Sequence, residues 1–180
     1  MALRRAARIL REGGVVAYPT EGVYGFGCRP DDAAAVARIL DIKQRDAAQG
    51  LLLIADDIGQ LEGWVELPPG APDLRSPVDR PVTWIVGATE AVPPWIRGRH
   101  AGVAVRITSH PVAAALCRTA GLPLVSTSAN VGGRPPARNP YVLRRLFGSL
   151  VDCIVPGRCG PAGGPSEIRD LASGRVLRPA

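Results

Sequence analysis

Four short segments concentrate polar residues where apolar runs end, and their side chains are of the kinds that hold anions and amino acids. The first is Pro19-Thr20-Glu21-Gly22-Val23-Tyr24-Gly25-Phe26-Gly27. Its glycines permit close backbone approach to a ligand, and the Thr20 hydroxyl is a candidate contact. It is neither G-x-x-x-x-G-K-[ST] nor a correctly placed G-x-G-x-x-G, so it is not a standard phosphate loop. The second is Lys43-Gln44-Arg45. In a continuing helix, side chains two apart diverge, so both cations can serve one ligand only if the helix ends there. Asp46-Ala47-Ala48-Gln49-Gly50 reads as such an end. The third is Ser126-Thr127-Ser128-Ala129-Asn130, where period-two alternation in an extended chain puts Ser126, Ser128 and Asn130 on one face. The fourth is the loop Gly157 to Gly164 leading to Ser166, together with Arg106 on an otherwise apolar strand and Arg178 on the last strand. A half-buried guanidinium needs an anionic partner, which makes these arginines ligand candidates. Each segment alone also fits an ordinary role: a glycine-rich turn, cations completing a helix dipole, a capped strand end, surface ion pairs.

The elements that must position these residues follow from apolar periodicity, which alternates along the chain as in α/β domains. Residues 2 to 12 form a helix with Leu3, Ala6, Ala7 and Leu10 on one face, ending at Gly13-Gly14. Val15 to Tyr18 is a strand closed by Pro19, and Asp31-Asp32 caps a helix carrying Val36, Ile39, Leu40 and Lys43. Leu51 to Ile54 is apolar on both faces, as in a central strand. Strands are expected at Val82 to Val86, Val103 to Ile107, from Leu124, and at Val151 to Val155. Helices are expected at about Pro111 to Thr119, capped by Ser109, and at Tyr141 to Phe147. Glu167 to Leu171 and Val176-Leu177 read as a hairpin around Ser173-Gly174.

The whole sequence, residues 1 to 180, fits one domain with no interdomain linker, and a chain of this length buries about 70% of its unfolded surface without staples. With 46% hydrophobic and 21% charged residues it is excluded from the disordered class. The net charge of +6 points to an anionic partner: nucleotide, RNA or acidic membrane. Cys28, Cys117, Cys153 and Cys159 form no C-x-x-C pair and have only His100 and His110 to join them, so no protein metal site is expected. No apolar run approaches the ~20 residues of a membrane span, and the arginine-rich first helix lacks a signal-peptide core, so a reducing cytoplasm is the expected compartment.

In their order and spacing, YPTEGVYGFGC, LDIKQR, PVTWIV, VAVRIT followed by HP, PLVSTSAN followed by GG and PP, and PSEIRD with its LR-P ending resemble the YrdC-type threonylcarbamoyl-AMP synthases. The short bacterial single-domain form is the nearest in kind, and the resemblance runs from about Val16 to Arg178. It implies a single-domain α/β fold, a twisted mixed sheet with flanking helices and an open basic cavity. It implies a nucleotidyltransferase that makes L-threonylcarbamoyladenylate and pyrophosphate from L-threonine, bicarbonate and ATP, with Mg2+ accompanying the ATP. Separate tRNA threonylcarbamoyltransferase proteins would use the product to modify tRNA, with direct RNA contact left open and no membrane involved. Position by position, Thr20, Arg106, Ser126 and Ser166 resemble threonine-binding residues. Lys43 and Arg45 match a K-x-R, and Ser128 and Asn130 an S-x-N, which together make the catalytic and polyphosphate set. Thr83 and Arg178 resemble parts of the nucleotide side.

One position departs from the commoner pattern, in which proline follows the K-x-R arginine: here it is Asp46, whose carboxylate has three placements open to it, facing the polyphosphate, facing solvent or pairing with Arg45, of which the pairing is slightly favoured. In this reaction a carbamate oxygen must approach an α-phosphorus carrying about four negative charges nearby, so fixed cations and in-line positioning are the main requirements. None of these segments supplies a convincing general base, and Glu21 is at most a candidate for that role. Two other readings compete. One is a non-catalytic basic RNA-binding module acting in tRNA or ribosome maturation, for which 4% aromatic residues leave little stacking platform. The other is a carbamoyltransfer domain of the hydrogenase-maturation type, whose additional domains are not seen in the sequence.

Overall fold

Ten strands form a single mixed sheet in the computed structural model, which describes residues 1–162 and 164–180. They are β1 (Val16–Pro19), β2 (Tyr24–Gly27), β3 (Leu52–Ala55), β4 (Val65–Glu66), β5 (Val82–Ala88), β6 (Gly102–Ile107), β7 (Leu124–Ser128), β8 (Cys153–Ile154), β9 (Glu167–Asp170) and β10 (Val176–Arg178). The order is β10-β9-β5-β6-β3-β7-β2-β1-β8, with β4 paired to β5. Three pairings are parallel, β1 with β8, β3 with β6 and β5 with β9, and the others are antiparallel. Five helices flank it: α1 (Ala2–Arg11), α2 (Ala33–Lys43), α3 (Pro94–Arg97), α4 (Pro111–Ala120) and α5 (Pro140–Phe147).

Side-chain alternation gives the two faces of the sheet different fates. On one face Tyr24, Phe26, Leu53, Ala55, Val103, Val105, Ile107 and Val125 are buried with Val36 and Ile39 of α2 and Leu143 and Phe147 of α5. Phe26 and Phe147 meet edge to face at 5.1 Å, a favoured geometry for two rings. On the opposite face Val16, Tyr18, Ile54 and Leu124 lie under α1 and α4. Those two helices cover only half of it. The uncovered half carries Gly25, Leu52, Thr83, Ile85, Ala104, Arg106, Ser126 and Ser128, and these line a cavity of about 580 Å³. Along β6 the two fates are visible in one strand, with Val103, Val105 and Ile107 buried and Ala104 and Arg106 half-buried. Burying an aliphatic or aromatic side chain contributes about 1.5–3 kcal/mol, so small and polar residues on the uncovered half forgo stability for an accessible surface.

Several expectations are corrected. Tyr24 to Gly27 is not a ligand loop but strand β2, hydrogen-bonded to both β1 and β7. Its glycines disguise it, and Gly27 is required there: a Cβ would stand 2.7 Å from Val125 O and from a ring carbon of Tyr18. The cap of α4 is His110, whose Nδ1 accepts the Ala113 N–H at 3.4 Å, rather than Ser109. The strand expected over 151–155 is reduced to Cys153–Ile154. Asn130 does not share the face of β7, because the strand ends at Ser128 and the chain turns back, Asn130 N–H bonding Ser128 O at 2.9 Å. The cap at Asp32, the central place of β3 and the β9–β10 hairpin are as expected. No helix among the described residues is long and apolar enough to cross a membrane.

Candidate active site

After β1 the chain makes a tight turn in which the Thr20 N–H and the Thr20 hydroxyl both donate to Val23 O, at 3.0 and 2.8 Å. The segment 157–162 returns against this turn, Gly160 N–H bonding Thr20 O at 2.9 Å and Ala162 N–H bonding Glu21 O at 3.0 Å. Gly22 permits that approach, since a Cβ would stand 3.0 Å from Ala162 O. Glu21 is thereby left 1% exposed. Its Oε2 accepts from Arg106 Nη1 at 3.2 Å and its Oε1 accepts from the Thr108 hydroxyl. With both oxygens engaged inside the fold, Glu21 is a counter-ion to Arg106 and not the general base that its place in the motif suggests. Burial lowers the Arg106 pKa and Glu21 opposes that shift. A guanidinium is not deprotonated in proteins, so it remains charged.

Arg106 also donates to Thr83 Oγ1, from Nε at 3.3 Å and Nη2 at 2.9 Å. Thr83 Oγ1 lies 2.8 Å from Ser166 Oγ, and Arg178 Nη2 donates to Ser166 O at 2.7 Å. Thr20, Arg106, Ser126 and Ser166 all line the cavity. Thr83, assigned by resemblance to the nucleotide side, has its hydroxyl inside this cluster.

The second cluster begins where α2 ends. Gln44 closes the helix in the left-handed conformation, with φ 51°, and is the one non-glycine residue with positive φ among the described residues. Such a residue costs about 1–3 kcal/mol and clusters at functional sites. Its effect here is to turn Lys43 and Arg45 in different directions. Lys43 Nζ donates to Ser128 O at 2.6 Å, Asn130 Oδ1 at 2.9 Å and Asn130 O at 3.2 Å, with Ser128 Oγ at 3.5 Å. Ser128 Oγ donates to Asn130 Oδ1 at 2.6 Å, and Gly132 N–H bonds Lys43 O at 2.8 Å. Lys43 and Asn130 stand behind the cavity wall, whereas Ser128 and Arg45 line it. In this structure the K-x-R is thus not a two-pronged clamp: Lys43 ties down the S-x-N turn and Arg45 alone faces the cavity. Burial first, and the Arg45 charge second, push the Lys43 pKa down to about 8. Arg45 Nη2 donates to Gly50 O at 2.9 Å, while its buried Nε has no partner among the described residues.

Asp46 does not pair with Arg45. Its Oδ1 accepts the Ala48 N–H at 2.8 Å and caps the short turn Ala47–Gln49, with the residue exposed. Asn caps as well as Asp. Asp46→Asn is therefore expected to leave the ATP dissociation constant within about two-fold at both low and high salt, as read by calorimetric titration.

Among the described residues, the cavity lining includes Arg45, Arg97, Arg106 and Arg178 and no carboxylate. Arg97 and His100 were not anticipated; α3, which carries Arg97, has four residues, too few for a periodic signal. Leu51, Leu52, Ile85, Ile96, Val103 and Ala104 form an apolar part of the wall. His110 is buried outside the cavity, its Nε2 3.0 Å from Arg158 O. No group of three His, Cys, Asp or Glu residues among those described could hold a metal ion. Hydroxyls and guanidiniums converging beside an apolar wall suit a zwitterion and a polyphosphate with a flat heterocycle.

The family model Sua5_yciO_yrdC, which carries the description "Telomere recombination", matches residues 8–180. A protein of Nitrosococcus oceani named threonylcarbamoyl-AMP synthase is 53% identical over 180 residues, covering 98% of this chain and 96% of its own. One of the same name from Cellvibrio japonicus is 47% identical over 177 residues, covering 97% and 94%. The structure of P. abyssi Sua5 complexed with L-threonine superposes with a TM-score of 0.85 and 31% identity, covering 98% of this chain and 53% of that one. The present chain spans about half the length of that protein. E. coli YciO superposes at 0.80 with 26% identity, covering 98% of this chain and 87% of its own. A match running from α1 through every strand to β10, at these identities, makes the chain a member of the Sua5/YciO/YrdC family.

Proposed function

We propose that the chain is a threonylcarbamoyl-AMP synthase, a nucleotidyltransferase acting on L-threonine, bicarbonate and ATP. The observation that carries this reading is the arginine-lined cavity beside the Glu21–Arg106–Thr83–Ser166 cluster, which offers one anion site for an amino-acid carboxylate and more positive charge for a triphosphate. Two relatives of nearly the same length bear the synthase name, and P. abyssi Sua5 is a structure with L-threonine.

The chemistry has two steps. The threonine amine adds to the bicarbonate carbon with loss of water, giving a carbamate, and a carbamate oxygen then attacks the α-phosphorus, breaking its bond to the leaving pyrophosphate. Arg106 holds the threonine carboxylate, while Thr20, Ser126 and Ser166 supply hydroxyls around the amino acid. Arg45, Arg97 and Arg178 counter the phosphate charge, Lys43 adds its field from behind, and Ser128 and Asn130 shape the wall. Adenine fits against Leu52, Ile85 and Ala104. Magnesium would enter as part of the nucleotide substrate, and the described lining residues include no carboxylate. Positioning, rather than a protein base, is what these residues provide.

The product would pass to tRNA threonylcarbamoyltransferase proteins, a route that fits a cytoplasmic enzyme. A purely RNA-binding role has no comparable support: Arg45, Arg97, Arg106 and Arg178 converge in a cavity of about 580 Å³, within the range of small-molecule sites. Pyrophosphate release tests the reading. It should require threonine and fall at least about ten-fold with valine, because losing the ligand hydroxyl leaves buried polar groups unpaired at ~1–3 kcal/mol. Equal release with threonine, valine and no amino acid would contradict it.

A further inference from the structure

Thr83 is 3% exposed and sits between a cation and a hydroxyl. A guanidinium has only donors, so the Thr83 hydrogen cannot point toward Arg106, whose Nε and Nη2 both approach Thr83 Oγ1. The remaining neighbour is Ser166 Oγ at 2.8 Å, and distance alone leaves the direction of that bond open. The count closes it: Thr83 donates and Ser166 accepts. Ser166 Oγ has no other bond among the described residues, and Ser166 lines the cavity, so its own hydrogen is free for a ligand. Thr20 has the opposite polarity. Its hydrogen is spent on Val23 O, which leaves only lone pairs to offer.

We propose that Thr83 is a positioning residue that fixes the Ser166 hydroxyl as a donor, so that Ser166 and Arg106 address the same anionic oxygens of the amino-acid substrate. Thr20 then accepts an N–H or O–H at the other end of the ligand. Arg106 has five N–H groups and spends three on Glu21 and Thr83, which leaves two for the ligand. The consequence is a fixed orientation, carboxylate toward Arg106 and Ser166 and amine or hydroxyl toward Thr20. Thr83 belongs with the amino-acid pocket and not with the nucleotide. This rests on the synthase reading for the identity of the amino acid.

The test is calorimetric binding of L-threonine, L-threoninamide and ATP to the full chain and to Thr83→Val, Thr83→Ser, Ser166→Ala and the Thr83→Val/Ser166→Ala double variant. Thr83→Val should weaken threonine about ten-fold, as expected for one hydrogen bond to a charged group, and threoninamide much less, with ATP unchanged. Thr83→Ser keeps the hydroxyl and should bind as the unaltered protein does. Ser166→Ala should match Thr83→Val, and the double variant should be no worse than either. Undiminished threonine affinity in Ser166→Ala overturns the proposal even if valine at position 83 prevents folding. So do additive losses in the double variant, or equal losses of threonine and ATP in Thr83→Val. If the unaltered protein does not bind threonine, the synthase reading falls and takes the proposal with it; if it does and the variants fail as stated, the proposal alone falls.

Discussion

Arg106→Ala is expected to lower kcat/KM for threonine by about 10³-fold, because truncating one member of a buried, hydrogen-bonded charge pair costs ~2–5 kcal/mol. The same change should destabilise the fold by roughly 3–5 kcal/mol, since it leaves Glu21, 1% exposed, without its counter-ion. Two further variants separate these effects. Arg106→Lys keeps a positive charge for Glu21 but loses the planar fork that reaches Glu21, Thr83 and a ligand at once. It should stay folded and still lose at least about ten-fold in kcat/KM. Arg106→Met combined with Glu21→Gln removes both charges and should recover most of the stability in urea denaturation without recovering turnover. Arg106→Lys with unaltered kinetics would show that the guanidinium does not hold the substrate.

Lys43→Met should weaken ATP by about ten- to a hundred-fold, for two reasons. It removes a positive charge behind the phosphate site, and it releases Ser128 O, Asn130 O and Asn130 Oδ1 from the cation that orders them. The pH dependence carries the diagnostic sign. Burial and Arg45 place the Lys43 pKa at about 8, below its ordinary 10.5. Between those values the unfolded chain is still protonated and the folded chain is not, so this residue makes stability rise with pH across that window. Nucleotide affinity moves the other way, because the charge that attracts the phosphates is lost above about pH 8. The unaltered protein should therefore show ATP affinity falling, by up to about ten-fold per pH unit, relative to Lys43→Met over the range in which its relative stability climbs. Parallel pH profiles for the two proteins would remove Lys43 from the charge balance of the site.

Local rules made much of this legible in the sequence. The end of the second helix at Lys43-Gln44-Arg45 was legible from the Asp46 to Gly50 segment that follows, and Gln44 closes the helix there, although the two cations then point apart. Period-two alternation brought Ser126 and Ser128 into the cavity. What escaped depends on long-range pairing. β2 contains Gly25 and Gly27, which weaken any strand signal, and it exists because β1 and β7 bond it from both sides. Glu21 and Arg106 are 85 positions apart, and only the fold reveals that the carboxylate is a counter-ion. Asp46 had two local partners within reach, the Arg45 side chain and the Ala48 N–H, and the backbone donor at a turn start won because it needs no long side chain ordered. Lys43 matched its motif but does not stand beside Arg45 at the cavity surface, since the S-x-N turn offered it a cage of oxygens.

The most direct measurement is of the product itself: purified protein incubated with ATP, L-threonine, magnesium and ¹³C-bicarbonate, followed by mass detection. The cavity predicts a threonylcarbamoyl adenylate carrying one heavy carbon, with pyrophosphate in equal amount, formed only when all substrates are present. Pyrophosphate released without threonine, or no labelled adenylate from folded protein that binds ATP, would contradict it.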